Sequence, residues 1–260
     1  MKNYQSFAAI IYVTDTEEQA VLRMFAWQDL LIEGDEQAYK EVFIEKNGKK
    51  LRVICARQDE MGMTASAALT MKMLHNFTPE YMIMPGIAAG TGEIRDSEEQ
   101  IYGDVVMANS VWNFSNGKFV SPHKAEIVFG EIGFKPRPTT VEISGDFLKK
   151  IEEYINSDKN EFHVHCGPLA SGTAVVANKT ILKKQVITSF HDTEGVEMEG
   201  YGVAYAATHA FAPKPHVIIA KSICDFANER KDDRFQKFAA YTSCGFVKAL
   251  LEEVLEYTGD

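Results

Sequence analysis

Apolar residues fall along this chain in two kinds of pattern. Strand-like runs in which apolar residues dominate occur at residues 7–13, 50–56, 81–84, 104–108, 163–170 and 216–220; each predicts a β-strand, and the first, wholly apolar, a buried one. Between them lie stretches of helical character. Thr14 or Asp15 is placed to cap a helix that continues through Glu18, Val21, Leu22 and Phe25. Residues 63–75 are rich in Ala, Met and Leu and predict a second helix, residues 147–156 a third, and residues 199–209 a helix of small side chains. Residues 235–257 predict a long amphipathic C-terminal helix. Residues 85–90 (Pro-Gly-Ile-Ala-Ala-Gly) read as a glycine-rich turn after the third strand, and residues 112–138, which contain Pro122, Pro136 and Pro138, as a surface excursion.

Alternation of strands and helices implies an α/β fold with a central, mixed, twisted sheet covered by helices. Composition does not shift along the chain, so residues 1–260 are read as a single domain. With 45% hydrophobic residues the chain has enough apolar side chains for one large core. No apolar run is long enough to cross a bilayer and no signal peptide is read at the start, so the expectation is a cytoplasmic protein with no membrane partner. A net charge of −10 argues against a nucleic-acid partner. Cys55, Cys166, Cys224 and Cys244 are widely spaced and form no Cys-x-x-Cys pair, which points to reduced thiols rather than a zinc site or disulfides. His163 and His165 alternate on one strand face, but no third metal ligand is apparent beside them.

The chemistry concentrates in two segments. Residues 195–200 (Gly-Val-Glu-Met-Glu-Gly) place two carboxylates around Met198, and the apolar run 216–220 continues through Lys221, Ser222, Ile223 and Cys224 to Asp225. A hydrophobic strand that stops at an acid presents that acid at its carboxyl end, where open α/β sheets bind ligands. Burial among Ile219, Ile223 and Phe226 would favour the protonated form of Asp225 and suit it to general-acid work. Local sequence alone favours a turn cap for Asp225; the Glu-Met-Glu segment upstream reverses that choice. Glu199 can accept hydrogen bonds from two neighbouring hydroxyls, and Met198 offers a polarizable apolar surface. The other reading of this tripeptide is a solvated helix start.

These segments, in this order, resemble the nucleoside phosphorylase/nucleosidase superfamily, in particular its methylthioadenosine/adenosylhomocysteine nucleosidase branch. The resemblance spans most of the chain and implies a phosphorylase-like fold with a partly barrel-like sheet. In that branch a Met-Glu pair holds the nucleoside, here Met198 and Glu199, and a strand-end Asp, here Asp225, protonates the departing purine. The first strand and its turn (residues 10–17) are similar to the family segment ending in the glutamate that activates water. Counting from the strand gives Glu17, and counting back from the helix gives Gln19. Residues 85–90 match the family's glycine-rich turn, so Ile87 and Ala88 become substrate-binding candidates, with Ile87 in a serine's place. Residues 171–176 resemble the purine-packing segment and assign Val175 and Val176, with Val175 in place of an aromatic. Lys221 stands where the family has an arginine, Cys224 where it has a serine, and Phe226 adjoins Asp225; Lys221 and Phe226 are taken as substrate-binding candidates as well.

Residues 86–90, 111–114, 224–228 and 231–240 also look like the nucleosidase-like domains of bacterial defence proteins, some of which cleave adenine nucleotides. On that reading Lys231, Arg234 and Lys237 would meet a phosphate chain; the other reading is an ordinary charged helix start. Trp112 and Phe114 would shield a ligand or simply pack. The implied activity is hydrolysis of a purine N-glycosidic bond, adenine being the expected base, without metal or organic cofactor. The acidic turn at residues 14–18 suits water better than phosphate, although Arg23 keeps a phosphorylase open. A non-catalytic nucleotide sensor on the same fold is a further alternative. A dinucleotide-binding dehydrogenase is disfavoured, because Gly86, Gly90 and Gly92 do not spell Gly-x-Gly-x-x-Gly. Family members are oligomeric, so a homodimer or larger assembly is expected.

Overall fold

The first apolar run forms strand β1 (Ser6–Tyr12), buried at every position. Such a strand needs cover on both faces and paired neighbours on both edges. It runs parallel to β4 (Lys49–Arg57) on one side and β5 (Pro79–Gly90) on the other, with Ala8 opposite Val53 and Tyr81. The computed structural model describes residues 3–92, 100–228 and 233–259. Helix α1 (Asp15–Leu22) follows β1, and Thr14 is its cap: the Thr14 side chain accepts from the Glu17 backbone N–H at 3.2 Å. An antiparallel ribbon, β2 (Gln28–Ile32) and β3 (Asp35–Lys46), then extends the sheet beyond β4. Helix α2 (Met63–Phe77) returns the chain to β5.

The second half supplies β6 (Val105–Asn113), β10 (Thr139–Glu142), helix α3 (Asp146–Ile155), β11 (Val164–Ser171), the short α4 (Lys179–Ile181), β12 (Gly195–Glu197), helix α5 (Gly200–His209), β13 (His216–Asp225) and helix α6 (Gln236–Ala249). Four of these strands, β6, β11, β12 and β13, close into a ring with β5. β5 pairs with β13 in parallel, β13 with β6 antiparallel, β6 with β11 in parallel, β11 with β12 in parallel, and β12 returns antiparallel to β5. The sheet is therefore mixed and partly barrel-like, with β1, β4, β3 and β2 as an open extension of the ring.

Three expectations are corrected. Residues 85–90 are not a turn. They continue β5 and stay paired with β13 as far as Ala89. The C-terminal helix stops at Ala249, and a wider turn, Leu250–Val254, precedes extended chain. Lys46 donates to the carbonyls of Leu251 and Leu255 at 3.1 and 2.7 Å, satisfying groups that a longer helix would have bonded internally. Residues 112–138 are only partly a surface excursion. Trp112 is fully buried in β6, and the proline-rich stretch folds into a small antiparallel sheet of β7 (Gly117–Val120), β8 (Ile127–Phe129) and β9 (Ile132–Pro136).

The main core lies between the sheet and its helices, while Trp112, Phe114, Ala170, Val176 and Val186 form a second cluster on the other side of β6 and β11. No helix among the described residues is long and apolar enough to cross a membrane.

Candidate active site

Where β12 closes the ring against β5, the pairing is two residues long: Gly195 opposite Gly90 and Val196 opposite Ala89. Beyond this closure the strands diverge and leave a cleft whose empty space is about 740 Å³, solvent at its mouth included. That is the size of a small-molecule site. Its walls come from the β1–α1 turn, the carboxyl end of β5, the segment after β11, the β12–α5 junction, the end of β13 and the start of α6.

The floor is built from charges. Glu17 is in the first turn of α1 and buried. Its Oε2 accepts from the N–H groups of Val13 and Thr14 at 3.1 and 3.0 Å, and its Oε1 from the N–H of Ile87 at 3.0 Å. The capping box of α1 thus aims the carboxylate into the cleft. Glu197 is pinned in the same way. It accepts from the N–H groups of Glu199 and Gly200 at 2.9 and 2.7 Å and from the Ser171 hydroxyl in a short contact. Between them sits Lys221, fully buried, with Nζ 3.7 Å from Glu17 and 4.0 Å from Glu197. Burial pulls the Lys221 ammonium down, but Glu17, Glu197 and Glu199 outweigh it and hold the pKa above its ordinary value. Gly86 makes the arrangement possible: its φ is +147°, and a Cβ there would lie 2.1 Å from Glu17 Oε1 and 2.7 Å from Lys221 Nζ.

Met198 and Glu199 follow β12 and line the cleft. Both acids of the Glu-Met-Glu segment are buried, so the segment is not a solvated helix start. Glu199 occupies the cap position of α5 and accepts from the N–H of Gly62 at 2.9 Å. Burial, then the charges of Glu197 and Glu17, push its pKa up to about 7 against the pull of Lys221 and Gly62.

Asp225 ends β13 through an irregularity that sequence alone did not disclose. Ile223 is opposite Ala88 and Asp225 opposite Ala89, so Cys224 is an extra residue on its strand. Such a bulge re-aims side chains and breaks the two-residue alternation. Cys224 and Asp225 accordingly both line the cleft. Asp225 is buried; its Oδ1 accepts from the N–H of Ala227 at 2.8 Å, and the Cys224 thiol lies 3.5 Å from its Oδ2.

Of the residues singled out in the sequence, Glu17, Ile87, Ala88, Val175, Val176, Met198, Glu199 and Asp225 come together around this cleft. Lys221 and Phe226 do not line it. Lys221 lies behind the floor, and Phe226 packs its ring edge-on against Tyr102. Gln19 is exposed on α1. Trp112 and Phe114 belong to the second core cluster and are not among the lining residues. Arg234 and Lys237 are exposed and not among the lining residues, although Gln236 between them is, and Lys231 falls outside the described residues. Arg23 is exposed with its guanidinium 5.2 Å from the Tyr241 ring centroid. Sequence reading missed Met61 and Gln236 at the mouth, which carry no local signal, and the part played by Glu197, whose signal was its place in the Glu-Met-Glu segment.

A closed ring of mixed strands, with an acid on a strand-end bulge and a methionine flanked by acids opposite a glycine-rich strand, defines the class. This chain belongs to the phosphorylase superfamily, which matches residues 8–256. It is 30% identical over 234 residues to protein y4jS of Sinorhizobium fredii, covering 84% of this chain and 53% of that protein. It is 24% identical over 263 residues to a death domain-containing ATP nucleosidase of Amphimedon queenslandica, covering 94% of this chain and 48% of the relative. The chain thus spans about half the length of these curated relatives. Its fold superimposes on 5'-methylthioadenosine/S-adenosylhomocysteine nucleosidase of Helicobacter pylori with a TM-score of 0.74 at 20% identity, covering 96% of this chain and all (100%) of that one.

Proposed function

We propose that this chain hydrolyses the N-glycosidic bond of a purine nucleoside or nucleotide and releases the free base, adenine being the base expected. The observation that carries this reading is the convergence of Glu17, Met198–Glu199 and Asp225 on one cleft, with four carboxylates and no Lys, Arg or His among the described lining residues. The relatives named above as nucleosidases support it. In the proposed reaction a protonated Asp225 gives its proton to the purine ring as the bond to the sugar breaks. The base leaves neutral and the sugar passes through an oxocarbenium-like state. Met198 lies against the sugar, and Glu199, when ionised, accepts from its hydroxyls and stabilises the developing positive charge. Glu17 orients the attacking water and takes its proton once the new C–O bond forms. Ile87, Ala88, Val175 and Val176 supply apolar surface to the nucleoside.

Phosphorolysis would require cations around the nucleophile. The described lining offers none, and Arg23 points away to Tyr241. The same reading takes residues 1–260 as one phosphorylase-like domain, cytoplasmic, and assembled as a homodimer or larger oligomer. Sedimentation showing only monomer at micromolar concentration would contradict that assembly. For the activity, the protein is incubated with adenosine, methylthioadenosine, AMP and ATP, with and without phosphate. Free base from at least one of them without phosphate is the expected result. Binding with no base released from any would favour a sensor, and release only with phosphate a phosphorylase.

A further inference from the structure

A second cluster of chemically capable side chains lies outside the cleft. Asp104 immediately precedes β6, His163 immediately precedes β11, and His165 is the second residue of β11. None of them lines the cleft. The two strands run parallel with Val164 opposite Val105, so their starts lie side by side. The two-residue period of a strand puts both histidines on one face, and the neighbouring strand supplies the third group that was not apparent in sequence. Asp104 Oδ2 stands 2.9 Å from His163 Nδ1 and 2.9 Å from His165 Nε2, and also accepts from the Ile101 N–H at 2.9 Å. The ligand-capable atoms of all three side chains lie within 4.8 Å of one another. Asp104 and His165 are buried, while the His163 side chain is 64% exposed and leaves the cluster open to solvent on one side.

We propose that Asp104, His163 and His165 form a binding site for a divalent transition-metal ion of the zinc class. Two imidazoles and one carboxylate suit Zn²⁺, Co²⁺ or Ni²⁺ better than Mg²⁺ or Ca²⁺, which prefer all-oxygen shells. With metal–ligand bonds of about 2.0–2.2 Å, neighbouring ligand atoms stand roughly 3 Å apart. Both oxygen–nitrogen separations are already near that value. The exposed His163 ring is the member free to adjust, and water completes the shell from its side. The bound ion would tie the start of β6 to the start of β11. It would also brace β13, because the Asp104 carbonyl accepts from the Ile223 N–H at 2.9 Å and the Gly103 N–H donates to the Ile223 carbonyl at 2.9 Å, two residues before Asp225.

The test uses the full chain stripped with a chelator. Titration with Co²⁺ should produce a visible ligand-field absorption that saturates at one ion per chain. Zn²⁺ should displace it and raise the Tm, and Mg²⁺ should do neither. His163→Ala removes an exposed ligand and should keep the fold, as judged by circular dichroism, while weakening Co²⁺ binding at least about tenfold and abolishing the Zn²⁺-dependent rise in Tm. His165→Ala should do the same, but its burial makes His163→Ala the deciding variant. No saturable one-to-one binding up to about 1 mM metal, or equally tight binding by folded His163→Ala, would overturn the proposal and leave a hydrogen-bonded Asp–His cluster.

Discussion

The floor and the rim of the cleft are built on opposite principles. On the floor, Glu17 and Glu197 each accept two or more backbone N–H bonds and share the fully buried Lys221. At the rim, Met61 and Val175 are more than half exposed, at 61% and 54%. Glu17 is fixed by main-chain donors from the β1–α1 turn and from β5, and Glu197 by donors at the start of α5, so these carboxylates are preorganised. Exposed apolar side chains on short connections impose far less. On the proposed reading, the difference teaches that the chemistry of this site is set by its pinned floor, whereas the exposed rim tunes what the cleft admits.

The largest expected effect lies at the end of β13. Asp225→Asn removes the proposed proton donor and should lower base release about 10²–10⁴-fold with the fold intact. A fully active variant would detach the bulge from the chemistry. Glu17→Gln should also nearly abolish turnover while nucleoside binding persists, and Gln19→Ala should be mild. An amide keeps only one oxygen where Glu17 uses both, so one backbone N–H loses its acceptor, and a stability cost of about 1–3 kcal/mol should appear in denaturant titration. If Gln19→Ala were instead the crippling change, Glu17 would serve only the capping box.

Lys221→Met tests the floor as a unit. Removing the ammonium leaves buried carboxylates facing one another, and the expected loss is about 3–5 kcal/mol of stability. An unchanged unfolding midpoint would mean that the two acids do not depend on it. A smaller effect follows from Glu199. Its pKa is raised from 4.5 to about 7 in the folded chain, so the native state holds an extra proton between those values. Its contribution to stability is full below about pH 4.5 and declines as pH rises toward 7. Sugar recognition by the ionised group runs the other way, so kcat/KM should fall as pH drops below about 7. Glu199→Gln should flatten both slopes, and an unaltered pH profile of Tm would assign the slope to other groups. The smallest effect belongs to the rim. Val175→Phe adds a ring next to the base and should tighten purine binding by up to about tenfold with little change in kcat, read by calorimetry.

Much of this layout was legible in the sequence because it depends on local pattern. The run that became β1, the cap at Thr14, the helix at α2 and the acid at the end of β13 each carry their signal within a few residues. What escaped depends on pairing. The segment around Gly86 has turn-like composition, yet β13 holds it as a strand along one edge, while on the other edge β1 pairs as far as Ile83 and β12 from Ala89 onward. The ribbon of β2 and β3 is half exposed and rich in charge, so it lacks the apolar run that marked the other strands. Lys221 reads as a ligand contact until the fold places two acids against it. Asp104 lies about 60 residues from His163 in the chain and meets it only through strand register.

The central claim, that water rather than phosphate attacks the sugar in this cleft, is tested most directly by running the reaction on methylthioadenosine in ¹⁸O-labelled water containing unlabelled phosphate and analysing the sugar by mass spectrometry. The expected result is free adenine with a reducing sugar that carries one ¹⁸O at its anomeric carbon, a product that Asp225→Asn fails to form. A sugar 1-phosphate without label would contradict it.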